Sequence, residues 1–185
     1  KARGLYASRD FDESKVIFDK VIPMMSDSLN KGDALFLRAA AYESGDYKDG
    51  VQLDKALDDY REMMGMGGVY SYVESGKLGA ARVLYKMNGC LEFDQIKNLC
   101  LDTSKSGVRK HRAKSMVLLG FVYQVCRDDC VTARKWYMRS FLQGSQWGLR
   151  HFAMSHMKDG NIIRGAFSHA AATILGPFMY MVFRI

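Results

Sequence analysis

Four cysteines and four histidines are the residues whose types could do chemistry in this chain, and their spacing decides which chemistry is open. Cys90, Cys100, Cys126 and Cys130 allow three complete disulfide pairings. Cys126 and Cys130 straddle a turn between two helical stretches, where a short disulfide could staple one helix pair. Cys100, beside Leu99 on a helix, reads as a buried free thiol. Neither pair has the usual close spacing with a matching histidine pair, which argues against zinc. His111, His151, His156 and His169 are scattered, and the i, i+5 separation of His151 and His156 keeps them off the shared helical face that a metal-binding i, i+4 pair uses. No nucleophile, acidic partner or oxyanion-type glycine motif can be placed beside any of them. The run Met63-Met64-Gly65-Met66-Gly67-Gly68 has no Gly-Lys-Ser/Thr after it and no strand before it, so it ends a helix instead of cradling phosphate. These residues therefore imply no catalytic site, no metal and no cofactor, and the chain reads as a non-enzyme.

Charge offers a second route to function. The formal net charge is +7, and Lys105, Arg109, Lys110, His111, Arg112 and Lys114 gather at one turn and helix start. Such a cluster can release counterions from a phosphate backbone. The aromatic residues fall at core spacing and not among these charges, and no nucleic-acid-binding module is recognisable, so a solvated face or docking to an acidic protein is favoured over nucleic acid. No run of about 18 apolar residues is present, so no membrane span is expected.

The elements that must carry these residues are helices. From Ser115 to Gly144, Ser115, Leu119, Gly120 and Tyr123 share one helical face, with Gly120 open to close approach. Asp128-Asp129 then opens a second helix, Ala133, Trp136, Ser140 and Phe141 repeat the apolar spacing, and Gly144 stops it. The template recurs. Tyr6, Tyr42, Tyr85, Tyr123 and Met157 are equivalent, at separations of 36, 43, 38 and 34 residues, and Val16, Ala56, Ile96, Ala133 and Ala166 mark the partner helices.

At these positions the chain resembles the SEL-one-like repeat family, a relative of the tetratricopeptide repeats, whose helices look like A-x-x-x-L-G-x-x-Y and D-x-x-K-A-x-x-W-x-x-x-A-A-x-x-G. The stretch around Gly120 follows both. A second unit carries Ala34, Arg38, Ala39, Tyr42, Lys55-Ala56 and Gly67, and a third carries Ala81, Arg82, Tyr85, Ile96 and Gly107. The first and last are degenerate, with Pro23 and Pro177 at helix positions, as terminal capping repeats often are. The resemblance implies an all-α, right-handed α/α solenoid of about five helix-turn-helix repeats in a single domain, with units at roughly 1–30, 31–68, 69–107, 108–144 and 145–185.

The same resemblance implies a protein-binding scaffold or adaptor that takes a peptide or partner domain on its concave face. The alternative is a regulatory or cell-envelope assembly factor acting on an enzyme or a polysaccharide machine. A bacterial periplasmic or secreted setting is favoured over a cytoplasmic one. By carry-over from the tetratricopeptide geometry, Phe36, Ala40, Glu43, Val83, Lys86, Val117, Phe121, Gln124, His151, Ser155 and Lys158 should line the groove, with Asp33 and Lys114 at its rim. The partner is another protein or peptide, of acidic character if the basic cluster takes part. A cysteine-rich branch of the family also links its paired helices covalently, though at a spacing wider than that of Cys126 and Cys130, so the resemblance leaves the pairing open. From Ala170 to Ile185 only Arg184 is charged. Pro177 should interrupt a helix begun at Phe167, leaving Phe178 to Phe183 as a separate apolar element. Phe178 and Phe183 are expected to be covered, either within the chain or by self-association through this segment.

Overall fold

The computed structural model describes residues 2–7, 10–67 and 70–183. It is all-helical, with no strand among the described residues. Where the repeat pattern predicts one continuous domain, the helices gather into two compact units, Lys1–Asn88 and Gly89–Ile185.

The N-terminal unit contains α1 (Ala2–Ala7), α2 (Phe11–Val21), α3 (Ser28–Ser44), α4 (Leu53–Met64) and α5 (Tyr70–Asn88). Pro23 ends α2 in a short 3-10 turn, because proline cannot donate to the preceding turn. Asp27 then caps α3, its carboxylate accepting from the Leu29 N–H at 3.0 Å. Gly45 stops α3 in the left-handed conformation, at φ 77°. Leu35, Ala39, Ala56, Tyr60, Met63, Ala81 and Val83 form the core. The approach of α5 to α4 is tight. A Cβ placed on Gly79 would lie 2.4 Å from the Tyr60 ring, so only glycine permits this packing.

The C-terminal unit contains a 3-10 turn (Gly89–Glu92), α6 (Phe93–Thr103), α7 (Arg109–Cys126), α8 (Cys130–Leu142), α9 (Gln146–Lys158) and α10 (Ile162–Phe183). The capping expected of the acidic pair falls to Asp129, whose carboxylate accepts from the Thr132 N–H at 2.9 Å. Ile96, Leu119, Val122, Ala133, Tyr137, Leu149 and Ala153 build the core, and the buried Ser140 hydroxyl donates to the Ala113 carbonyl at 2.7 Å, joining α8 to α7.

Two expectations are corrected here. The disulfide joins Cys90 to Cys126, Cα atoms 5.1 Å apart, and Cys100 and Cys130 are free and buried. Sequence proximity favoured Cys130, but the 3-10 turn at Gly89–Glu92 packs on α7, and the edge-to-face contact of Phe93 with Tyr123 draws Cys90 to the end of that helix. The second correction concerns Pro177, which lies inside α10: one helix runs from Ile162 to Phe183, so Phe178 to Phe183 is not a separate element. The expected burial of Phe178 and Phe183 lies outside the described side chains.

Candidate partner-binding surfaces

In the N-terminal unit, α3 and α5 run parallel and bond to one another in a constant register. Tyr72 donates its hydroxyl to Asp33 at 2.6 Å, and Arg82 donates its Nε to Glu43 Oε1 at 2.6 Å. Both pairs are 39 residues apart, so the helices keep step along their length. Phe36, Ala40 and Glu43 follow Asp33 at helical spacing along α3. Phe36 is 42% exposed and Ala40 is half-buried.

Glu43 is the electrostatic centre of this face. Only 7% exposed, it receives Arg82 on both oxygens, the Lys86 ammonium at 2.8 Å and the Tyr60 hydroxyl at 3.1 Å. Burial alone would push its carboxyl upward, but the hydrogen bonds and charges of Arg82 and Lys86 outweigh that and hold it below its ordinary value. Two cations on one carboxylate leave an excess positive charge, and both cations are partly exposed.

A depressed carboxyl pKa stabilises the fold above the unfolded value, about 4.3 for glutamate, and that contribution disappears as pH falls through the folded value. Glu43→Gln should therefore cost about 1–3 kcal/mol at pH 7, and the gap from wild type should close as unfolding is measured from pH 5 toward pH 3. A gap that stays constant with pH would show that Glu43 does not carry this charge.

In the C-terminal unit the corresponding residues meet around Tyr137. Its hydroxyl donates to Gln124 Oε1 at 3.0 Å, and its ring stacks on His151 with centroids 5.3 Å apart. Trp147 lies beyond His151 at 6.3 Å. Burial lowers the His151 pKa, which favours the neutral ring. Val117, Phe121 and Gln124 are half-buried along α7, Lys114 is exposed, and Lys158 is exposed with its ammonium 2.7 Å from Asp128.

Three of the expected surface residues are buried: Glu43, beneath its two cations, and two others. Val83 and Ser155 are each 0% exposed. On α5 the outward stripe passes through Arg82 and Lys86, and on α9 through Trp147, Met154 and Lys158, so each inward residue stands one position from an outward one. One position is about 100° around a helix. At Val83 and Ser155 the shift occurs in the third and last units, whose motifs are less complete than the one around Gly120. On α3 and α7, where the motif is fuller, Phe36, Val117, Phe121 and Gln124 retain exposure.

Comparison with family models, curated proteins and solved structures gives no match.

Arg82, Tyr72 and Tyr60 were not anticipated. The signal for Arg82 was present, because it stands where the repeat motif calls for glycine, and an arginine packed among helices needs a carboxylate. Arg38 occupies an apolar motif position in the same way and donates to both oxygens of Asp59, at 3.0 and 2.7 Å, and to Asp19 at 2.7 Å. The basic cluster at the start of α7 is partly structural. Arg112 donates to the Ser106 carbonyl at 2.7 Å and to the Gln143 side chain at 3.1 Å, and Arg109 donates to the Gln143 carbonyl at 2.7 Å. Among the described residues no group of three or more His, Cys, Asp or Glu could hold a metal ion.

Proposed function

We propose that the chain is a protein-binding scaffold built from about five α/α repeats of the solenoid kind, without catalytic activity, and that an acidic peptide segment docks on the α3–α5 face. The parallel, constant-register pairing of α3 with α5 supports the repeat reading, since first helices of successive repeats lie side by side in such stacks. The observation that carries the binding reading is the pairing of an exposed Phe36 with the surplus cation at Glu43, Arg82 and Lys86 on one face. Phe36 and Glu43 are two helical turns apart, or roughly 10 Å along α3. A peptide carrying a large apolar side chain and a carboxylate at that spacing would place the first against Phe36 and the second against the cations. The anion would meet groups already held in position, which reduces the ordering cost of binding.

Selection from a peptide display library is the direct test. Enrichment of acidic sequences with a neighbouring apolar residue is expected. Phe36→Ala and Lys86→Ala should each weaken the selected peptides about tenfold, corresponding to about 1.4 kcal/mol. Enriched peptides that lack acidic residues, or that bind both variants as well as wild type, would overturn the reading.

A further inference from the structure

Positive charge is divided unevenly along the chain. Residues 89–185 hold 14 Lys and Arg against 6 Asp and Glu, a net +8, whereas residues 1–88 hold 13 against 14, a net −1. Within the C-terminal unit some cations are held internally, including Arg134 by Asp159 and Lys158 by Asp128. Lys105, Lys110, Lys135, Arg139 and Arg164 remain exposed.

The same unit displays large apolar side chains on α9 and α10. Ile163 is 85% exposed, Phe167 79% and Trp147 56%. This follows from how α10 is seated. Its buried contact to α9 is made at Gly165, where a Cβ would lie 2.4 Å from the Met157 side chain and 3.1 Å from the Ala153 carbonyl. The small residue faces inward and its large neighbours face out. Between the helices is a cavity of about 380 Å³ lined by Phe152, His156, Ile163, Arg164, Phe167 and Ser168. From Gly165 to Phe183 the sequence contains no Asp, Glu, Lys or Arg, so the helix offers no charged face to water beyond Arg164.

We propose that the α9–α10 face of the C-terminal unit docks on an anionic lipid surface. Ile163 and Phe167 enter the boundary between headgroups and acyl chains, Arg164 beside them meets lipid phosphate, and the surplus positive charge of the unit adds a longer-range attraction to the anionic surface. Among the described residues no helix is long and apolar enough to cross a membrane, and the proposal concerns attachment to the surface of a bilayer. Protruding apolar side chains with a surplus of basic charge satisfy both terms of interfacial binding, apolar burial and attraction to anionic headgroups. Nucleic acid would satisfy the charge and leave the aliphatic side chains in water. An acidic protein would need an apolar socket for residues that protrude from two helices. The assignment stands apart from the α3–α5 face, and neither depends on the other.

The test is flotation of the full chain with vesicles of phosphatidylcholine alone or mixed with phosphatidylglycerol. Partition into the mixed vesicles should exceed that into pure phosphatidylcholine by about tenfold and should weaken at high salt. Ile163→Asp with Phe167→Asp should reduce it by at least about tenfold, since each residue is worth ~1.5–3 kcal/mol when buried. Both positions are exposed, so the melting temperature should stay unchanged. Tryptophan emission should shift to the blue on binding, and Trp147→Phe should abolish most of that shift. Absence of flotation, or equal flotation of the double variant, would overturn the proposal. So would a dimeric mass in lipid-free light scattering that the double variant returns to monomer, because a second copy would then be the cover.

Discussion

Cys90→Ser is expected to destabilise the C-terminal unit by about 4 kcal/mol, and reductant should lower the wild-type protein by the same amount. The bond links positions 36 residues apart, and closing a loop of that size removes about 4 kcal/mol of unfolded-state entropy at 25 °C in the chain-entropy account. Trp136 and Trp147, the two tryptophans of the chain, both lie in this unit, so fluorescence-detected urea unfolding reports on it directly. Cys126→Ser should match Cys90→Ser. Cys130→Ser should be far milder, because Cys130 is a free thiol. Two reactive thiols should appear on non-reducing denaturation. A count of four, or insensitivity of unfolding to reductant, would remove the bond from the account.

A comparably large effect is expected where α8 meets α7. Tyr137 is 1% exposed and lies against Gly120, where an added Cβ would come within 2.5 Å of the ring and 3.0 Å of the Ala133 carbonyl. Tyr137→Ala should cost about 3–5 kcal/mol, through lost burial and the cavity left behind. Gly120→Ala should cost about 1–3 kcal/mol in the wild-type background, because the ring is enclosed and cannot move aside freely. In the Tyr137→Ala background the same change should cost less, because the ring contact is gone and alanine has the better helix propensity, while the 3.0 Å approach to the Ala133 carbonyl remains. The cycle therefore has an expected coupling of up to about 3 kcal/mol. Additive effects would mean that Gly120 is not needed for this contact.

Helix positions were the most legible feature of the sequence. The apolar spacing around Leu119 and Ala133 and the stop at Gly144 are local signals, and the helices lie where those signals put them. The large ring buried on α8 is nevertheless Tyr137 and not its neighbour Trp136, which is half-buried. What the sequence did not yield depends on contacts between distant segments. The disulfide is one case: Cys130 is nearer to Cys126 in sequence, and only the packing of the 3-10 turn on α7 brings Cys90 to it. Side-chain direction is another. Val83 and Ser155 were placed by analogy with fuller repeats, and an uncertainty of one residue is enough to turn a side chain from solvent into the core. The continuity of α10 through Pro177 is a third, because a proline inside a helix costs stability without always ending the helix. Of the α3–α5 face, Phe36 and Glu43 were placed through the resemblance to the tetratricopeptide geometry, whereas the two cations gathered on one carboxylate required the register between the helices.

The Cys90–Cys126 bond also changes what a broken chain would be. It closes a covalent ring that contains all of α6, the basic turn and α7 up to its last residue. Lys105 and Lys110, both exposed, lie inside the ring and are natural points of attack for a protease that cuts after basic residues. A single cut there releases no fragment. It creates two new ends within one molecule of unchanged covalent mass, apart from the water added, and the two pieces separate only when the disulfide is reduced.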